Sequence, residues 1–379
     1  MDQSVSIERH RRKLPLKRRL LYIGIIYAVF LLVLFFIEIG TRLTMDHVYS
    51  LDLFVVTPQQ KAQVAEGKQS AIFEGDPLLM WRLKSNLDQA YWDFTTVSTN
   101  AQHLRHDRPL QAKEPGTFRI VSLGDSVTFG YRVPPVWPDK PKDFNPDWVP
   151  YPTLLERTLR QANPARKIEV ITMAVPGYTS HQGLAWLRRD IDKLQPDLVT
   201  ISFGWNDASF SDVPDREAIR TDWYVVATRW MIVHSQAFAH VTKWLRAKQS
   251  PGTAIKRPVP RVSQQEYVNN FRRMIGIARA RGAGVVVIGA PYRDRTTNPP
   301  EAELMGAYRA SLRSFAQDYG ISYLEVLELT EAANESNQGW FGELIHPNHM
   351  GHRLMASELL KFIRAHRMLG DTTVPDLVP

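Results

Sequence analysis

The chain is expected to fold as an α/β domain, a parallel sheet with helices on both faces, preceded by a single membrane-spanning helix. Three features carry that expectation: short β-branched apolar runs from residue 118 onward, helical periodicity between them, and one uninterrupted apolar segment near the N-terminus.

The apolar segment, residues 20–39, reads "LLYIGIIYAVFLLVLFFIEI" and holds a single charge, Glu38. At about 1.5 Å per residue a helix of this length crosses roughly 30 Å of hydrocarbon. A cleaved signal sequence is the competing reading, but its apolar core runs about 7 to 15 residues and ends in small residues. Here the exit is "EIGTRLTMD", with no A-x-A pattern. An uncleaved anchor over residues 20–40 is therefore expected. Residues 1–19 hold seven basic side chains against two acidic ones, a net +5, which leaves +3 of the chain's +8 for the other 360 residues. The basicity belongs to a tail that the positive-inside tendency puts in the cytoplasm, so no nucleic-acid partner is expected. With no cysteine in the chain, a disulfide framework, a thiol nucleophile and cysteine metal sites are excluded.

Residues 41–115 read as an extracytoplasmic linker and a small extended region. "TPQQKAQVAEGKQSA" is polar, whereas "PLLMWRLKSN" and "AYWDFTTVSTN" alternate as short strands do. From residue 116 to 370 the pattern is that of the main domain, with 371–379 as a C-terminal tail. Apolar runs at 118–123, 168–175, 198–203, 285–290 and 321–326 lack strict alternation, as strands covered on both faces do. Between them lie helical patterns such as "YPTLLERTLRQA", "HQGLAWLRRDIDKL", "VNNFRRMIGIARARG" and "AELMGAYRASLRSFAQDYG". In such folds ligands sit at the carboxyl ends of the strands.

Two insertions interrupt the alternation. Residues 133–152 hold seven prolines with Trp137, Phe144, Trp148 and Tyr151. Residues 208–263 contain a helical stretch in which Trp223, Val226, Trp230, Val233, Ala237, Val241 and Trp244 recur at three- and four-residue steps. That stripe is expected to dock on the domain, with a substrate-covering lid or a membrane-surface contact as the alternatives.

The candidate chemistry starts at "VSLGDSVTFGY". Ser126 follows a strand and precedes a helical turn, at the carboxyl edge of the sheet, where helix amides favour developing negative charge. A serine hydroxyl needs a base to accept its proton, and "GELIHPNHMGHRLMASELL" supplies the one dense histidine group, His346, His349 and His352. It carries no HExxH or similar ligand signature, so a metal site is not expected. Glu343, three residues before His346, is placed to orient that ring. Gly177 in "AVPGYTS" and Asn206 in "SFGWNDAS" follow the second and third strands, on the same rim as Ser126. Each taken alone also reads as an ordinary turn residue. Asp125 reads as a turn-shaping residue and Asp207 as structural.

Taken in order, "GDSVTFG", "AVPGYTS", "GWND" and "ELIHPNHMGH" resemble the four blocks of the SGNH hydrolase superfamily, also called the GDSL lipase/esterase family, over residues 116–368. The resemblance implies a three-layer α/β/α sandwich, flavodoxin-like, with a central parallel sheet of about five strands. It makes Ser126 the nucleophile and, through its backbone N–H, an oxyanion donor; Gly177 N–H and the Asn206 side-chain amide are the other donors, and His346 is the base. It implies no cofactor and gives His352 a structural role. "DPLLMWRLKSN" followed by "VSTNAQHLRHDRP" and "GTFRIVSLGDS" is also similar to membrane-anchored bacterial members of this superfamily.

One residue departs from the pattern. Glu343 stands where the family has aspartate, and the extra methylene moves the carboxylate by about 1.3 Å. Either the loop absorbs that shift or a backbone carbonyl orients the histidine instead. The expected activity is that of a serine ester hydrolase, anchored in the inner membrane by its N-terminal helix, with its domain facing the periplasm or cell exterior. An O-acyltransferase or deacetylase acting on an exported glycan is the alternative, since the same residues serve both. A non-catalytic glycan-binding assembly factor is the third reading, raised only by Glu343. The expected partners are an ester or acylated-glycan substrate and the membrane.

Overall fold

The computed structural model describes residues 15–54, 72–136, 145, 147–248, 258–291, 300–326, 339–342, 345–370 and 373–376. In chain order its elements begin with α1 (Leu16–Thr44), α2 (Ser50–Phe54), β1 (Phe73–Asp76), β2 (Met80–Leu83), β3 (Ala90–Trp92) and β4 (Thr95–Val97). Then come β5 (Phe118–Gly124), α3 (Ser126–Phe129), α4 (Tyr151–Ala162), β6 (Ile168–Ala174), α5 (Ser180–Leu194), β7 (Leu198–Ser202) and α6 (Trp205–Ala208). These are followed by β8 (Phe210–Ser211), α7 (Asp215–Ala218), α8 (Trp223–His234), α9 (Gln236–Ala247), β9 (Val259–Pro260) and α10 (Gln264–Arg279). The last are β10 (Gly284–Ile288), α11 (Pro300–Asp318), β11 (Ser322–Leu324) and α12 (His349–Ala365).

The five apolar runs form one parallel sheet in the order β11-β10-β7-β5-β6. This is a doubly wound order whose direction of winding reverses between β5 and β7. Such a switch point leaves a crevice outside the strand ends, and Ser126 follows β5 there. One face of the sheet is covered by α4 and α12: Leu154, Leu155 and Leu159 of the first and Leu359, Leu360 and Ile363 of the second pack with Ile120, Ile168, Val170 and Val286. Each such buried aliphatic side chain contributes about 2 kcal/mol relative to exposure. The helices α5, α10 and α11 pack together as the other helical group, with Tyr267 of α10 against Tyr308 of α11 and Phe271 against Phe203 at the end of β7.

The segment ahead of the sheet forms two antiparallel hairpins, β1-β2 and β3-β4. Leu79, Met80, Trp81 and Leu83 are all buried, so the burial along "PLLMWRL" alternates only in part. The cores of Trp92 and Phe129 meet edge-on at 5.9 Å, so the hairpin pair packs on the turn that carries Ser126.

By compactness the chain divides into a unit of residues 1–48 and 231–250 and a unit of residues 49–230 and 251–379. Within the first, α1 is a 29-residue helix with no buried residue, apolar and long enough to cross a membrane. The stripe from Trp223 to Trp244 lies on two helices, broken at Ser235, whose hydroxyl caps α9 by accepting from Phe238 N. It is largely undocked: Trp223, Trp230, Val241 and Trp244 are 81%, 55%, 53% and 56% exposed. Three- and four-residue spacing carries across the break at Ser235 only in sequence, and the large side chains of the stripe are exposed on both helices.

Candidate active site

β5 delivers Ser126 because glycine ends the strand. A Cβ on Gly124 would lie 2.8 Å from Ser202 O on the neighbouring strand, so only glycine allows β5 and β7 to stay this close at the switch point. Asp125 then caps α3, accepting from Val127 N at 2.9 Å. Burial pushes the Asp125 carboxyl up to about 7, partly offset by that bond. Ser126 is the first residue of α3 and is 7% exposed.

From 220 residues further along the chain, the loop before α12 brings His346, whose Nε2 is 2.8 Å from Ser126 Oγ. The loop is closed on itself: Gly342 N donates to His346 O at 3.0 Å, Asn348 N donates to Trp340 O at 2.9 Å, and Phe341 bridges Pro347. Asn348 also caps α12 by accepting from Met350 N and Gly351 N. Tyr131 lies against the imidazole with ring centroids 4.2 Å apart. Glu343 lies outside the described residues.

Gly177 follows β6 with φ +83°, the left-handed region that glycine occupies without strain. Its carbonyl accepts from Arg261 Nη1 at 2.9 Å. Arg261 in turn grips Asp215 through Nε at 3.1 Å and Nη2 at 3.0 Å, and Asp215 accepts from Thr179 Oγ1 at 2.7 Å. Both ends of that ion pair are buried. Arg261 is 84 residues from Gly177 in sequence, and nothing in its local pattern marks it.

Asn206 lies in the one-turn α6 and donates from Nδ2 to Tyr178 O at 3.0 Å. The same nitrogen carries a second hydrogen. Trp205 Nε1 donates to Pro291 O at 3.1 Å and Ser209 Oγ to Asn206 O at 2.8 Å, which fixes the turn. The next residue, Asp207, is fully buried; it accepts from Ser180 N at 3.0 Å and from Ser180 Oγ. Burial pushes its carboxyl up to about 8. Asp125 and Asp207 thus have the structural partners expected of them.

Arg105 braces the serine turn, a role sequence reasoning missed. Its guanidinium donates to Phe129 O, Gly130 O, Val133 O and Thr96 O at 2.5 to 3.2 Å. Burial pulls it down to about 9. On the glycine side Trp81 Nε1 donates to Pro176 O at 3.2 Å, and Tyr178 OH donates to Trp81 O. The hairpin region is therefore a brace for two of the site's loops.

His352 is buried, accepts through Nδ1 from Tyr151 N at 3.2 Å, and is pulled down to about 3, chiefly by burial. It is a neutral structural residue. His349 stacks on Trp148 of the proline-rich insertion at 4.0 Å, while Trp137 and Phe144 lie outside the described residues. Among the described residues no group of three or more His, Asp or Glu is arranged to hold a metal ion. A cavity of about 690 Å³ lined by Arg105, Arg108, Glu156 and Arg160 borders neither Ser126 nor His346.

The model of the GDSL-like lipase/acylhydrolase family matches residues 122–354, a span that takes in Ser126, Gly177, Asn206 and His346. No curated protein matches. Solved structures similar to the chain include an alpha/beta hydrolase enzyme from the metagenome of Lake Arreo (18% identity, 65% of this chain and 94% of that one, TM-score 0.43). A lipase/acylhydrolase from Enterococcus faecalis is similar at 18% identity over 66% and 96%, TM-score 0.41. Axe2, an acetylxylan esterase from Geobacillus stearothermophilus, is similar at 16% identity over 65% and 94%, TM-score 0.42. With its family model spanning more than half of its length and all four motif blocks, the chain belongs to the GDSL-like lipase/acylhydrolase family and is an ester-bond hydrolase.

Proposed function

We propose that the protein is a serine esterase, anchored in the inner membrane by α1 with its hydrolase domain outside the cytoplasm, and that Ser126, His346 and Glu343 are its catalytic residues. The observation that carries the reading is the 2.8 Å separation of Ser126 Oγ and His346 Nε2, within reach for direct proton transfer. Ser126 Oγ attacks the ester carbonyl while its proton passes to His346 Nε2. The tetrahedral oxyanion is held by the Ser126 and Gly177 backbone N–H groups and by the second Asn206 amide hydrogen. His346 returns its proton to the leaving alcohol and then deprotonates the water that releases the acid and frees Ser126. Glu343 orients the imidazole and stabilises its charged form.

The anchor reading is supported by the length and apolarity of α1 and by the basic residues that precede it. Residues 1–19, 20–40, 41–115 and 116–370 then serve as tail, span, brace and hydrolase domain.

A second reading has support in Tyr131 and Trp148, whose rings lie against His346 and His349. Of the two, Tyr131 lies next to the residue that meets Ser126; an aromatic ring there suits a sugar acceptor, and a sugar hydroxyl replacing water would make the product a transferred acyl group on an exported glycan. The test is turnover of p-nitrophenyl acetate and of an acetylated xylo-oligosaccharide by the full chain in detergent, with and without unacetylated oligosaccharide. Acetate released in full as free acid, with no acetylated acceptor formed, supports the esterase; acetylated acceptor supports transfer; no turnover of any ester, with the fold intact, leaves a binding protein.

A further inference from the structure

The geometry points to α9 as a membrane-docking helix, its exposed apolar side lying in the interfacial layer of the bilayer that α1 crosses. This rests on α1 being a membrane span.

The start of α9 is fastened to the outer end of α1. The Glu38 carboxylate accepts from Ser235 Oγ at 2.8 Å, Gln236 N at 3.0 Å and Ala237 N at 3.1 Å, so it satisfies amides that a helix N-terminus leaves unpaired. Arg42 pairs with the same carboxylate at 2.6 Å and donates to His234 O at 3.2 Å. Gln236 exchanges bonds with Val48 N and O, and His240 Nε2 meets Asp46 O at 2.9 Å. Residues 38–48 lie at and beyond the end of the apolar run, where a spanning helix leaves hydrocarbon for water. The first turns of α9 are held at that level.

The helix is two-sided. Gln236 and Ala239 are buried, whereas Val241 and the residues three and four positions on, Trp244 and Leu245, are 53%, 56% and 51% exposed. Trp244 stands about 12 Å along the helix from Gln236. Lys248 Nζ lies 3.5 Å from the centroid of its ring. From residue 236 to 248 there are Lys243, Arg246 and Lys248 and no acid.

Tryptophan with aliphatic neighbours and cations, on a helix of otherwise polar flank, is the composition that settles among lipid headgroups. Lipid is favoured over a soluble partner because the start of α9 is bonded to the end of α1, a helix that itself buries no residue, and because the acid-free helix complements anionic headgroups.

The chain's lack of cysteine allows single-site labelling. Full-length Leu245→Cys, Lys243→Cys and Ile26→Cys, each carrying the fluorophore NBD and each checked for unchanged thermal midpoint, are reconstituted in phosphatidylcholine/phosphatidylglycerol vesicles containing nitroxide-chain lipid. The expected result is quenching several-fold stronger at position 245 than at 243, with blue-shifted emission, and strong quenching at 26. Val241→Cys should repeat the result at 245. Equal, weak quenching at 245 and 243 with strong quenching at 26 overturns the docking helix while leaving the anchor intact. Weak quenching at 26 overturns the anchor, and the docking helix with it. A position 245 that is unquenched in vesicles yet shielded from a water-soluble maleimide in native membranes gives the face to a protein partner and overturns the lipid assignment.

Discussion

The serine side and the histidine side of the site are held in place by different means. Ser126, Gly177 and Asn206 sit on the ends of three neighbouring strands, braced from beneath by Arg105, Arg261 and the Asp207–Ser180 bonds. His346 rides on a loop, secured by two backbone hydrogen bonds, the Asn348 cap and the face of Tyr131. In the roles proposed for them as oxyanion donors these groups are useful only if they do not have to move when charge develops, and a strand-end rim with buried ionic braces suits that. A base has to reach its partner and needs less of the fold behind it. Disturbing the serine side from a distance should therefore cost stability as well as rate, while disturbing the histidine loop should cost rate alone.

The largest effects are expected from the two groups that meet. Ser126→Ala and His346→Ala should each lower kcat by at least about 10⁴-fold with unchanged thermal midpoints, read in ester turnover assays. Glu343→Ala should cost about 10³-fold if its carboxylate orients the imidazole; a loss below tenfold would transfer that task to a backbone carbonyl. On the braced side, Arg261→Met leaves Asp215 buried without its cation and should destabilise the fold by about 3 kcal/mol, measured by denaturant unfolding. A neutral result there would remove the contrast between the two sides. Asn206→Ala should lower turnover by about 100-fold, and unchanged turnover would take its amide out of the reaction.

A pH dependence should also set the braced side apart. The folded carboxyl of Asp207 is raised to about 8 by burial, against about 4 for an unfolded aspartate. Folding therefore holds a proton that the unfolded chain releases, so this stability is complete below pH about 4 and is lost as pH rises through about 8. Asp207→Asn should flatten the thermal midpoint across that window. A slope as steep as the parent's would mean that the carboxylate is charged in the fold.

The five strands were legible because each is a short apolar run without alternation, and their parallel direction followed from the βα rhythm; their order in the sheet, with its switch point between β5 and β7, was not legible. The places of Ser126, Gly177, Asn206 and His346 at strand and helix ends were legible from the pattern, whereas their proposed roles came from the resemblance of the four motif blocks. Arg105 and Arg261 were not, since a buried arginine has no local signature: its partners, Phe129 and Gly177, are 24 and 84 residues away. The exposure of Trp223 and Trp244 was equally hidden, because periodicity identifies a shared side of a helix but not what that side faces. For Glu343 the reading rests on sequence alone.

The most direct test of an activated serine is labelling of the full-length protein in detergent with a fluorophosphonate, with the adduct located by peptide mass. A single adduct on Ser126, absent in Ser126→Ala and strongly slowed in His346→Ala, is the predicted result. A folded protein that takes no label, or one that is labelled equally well as Ser126→Ala, would contradict it.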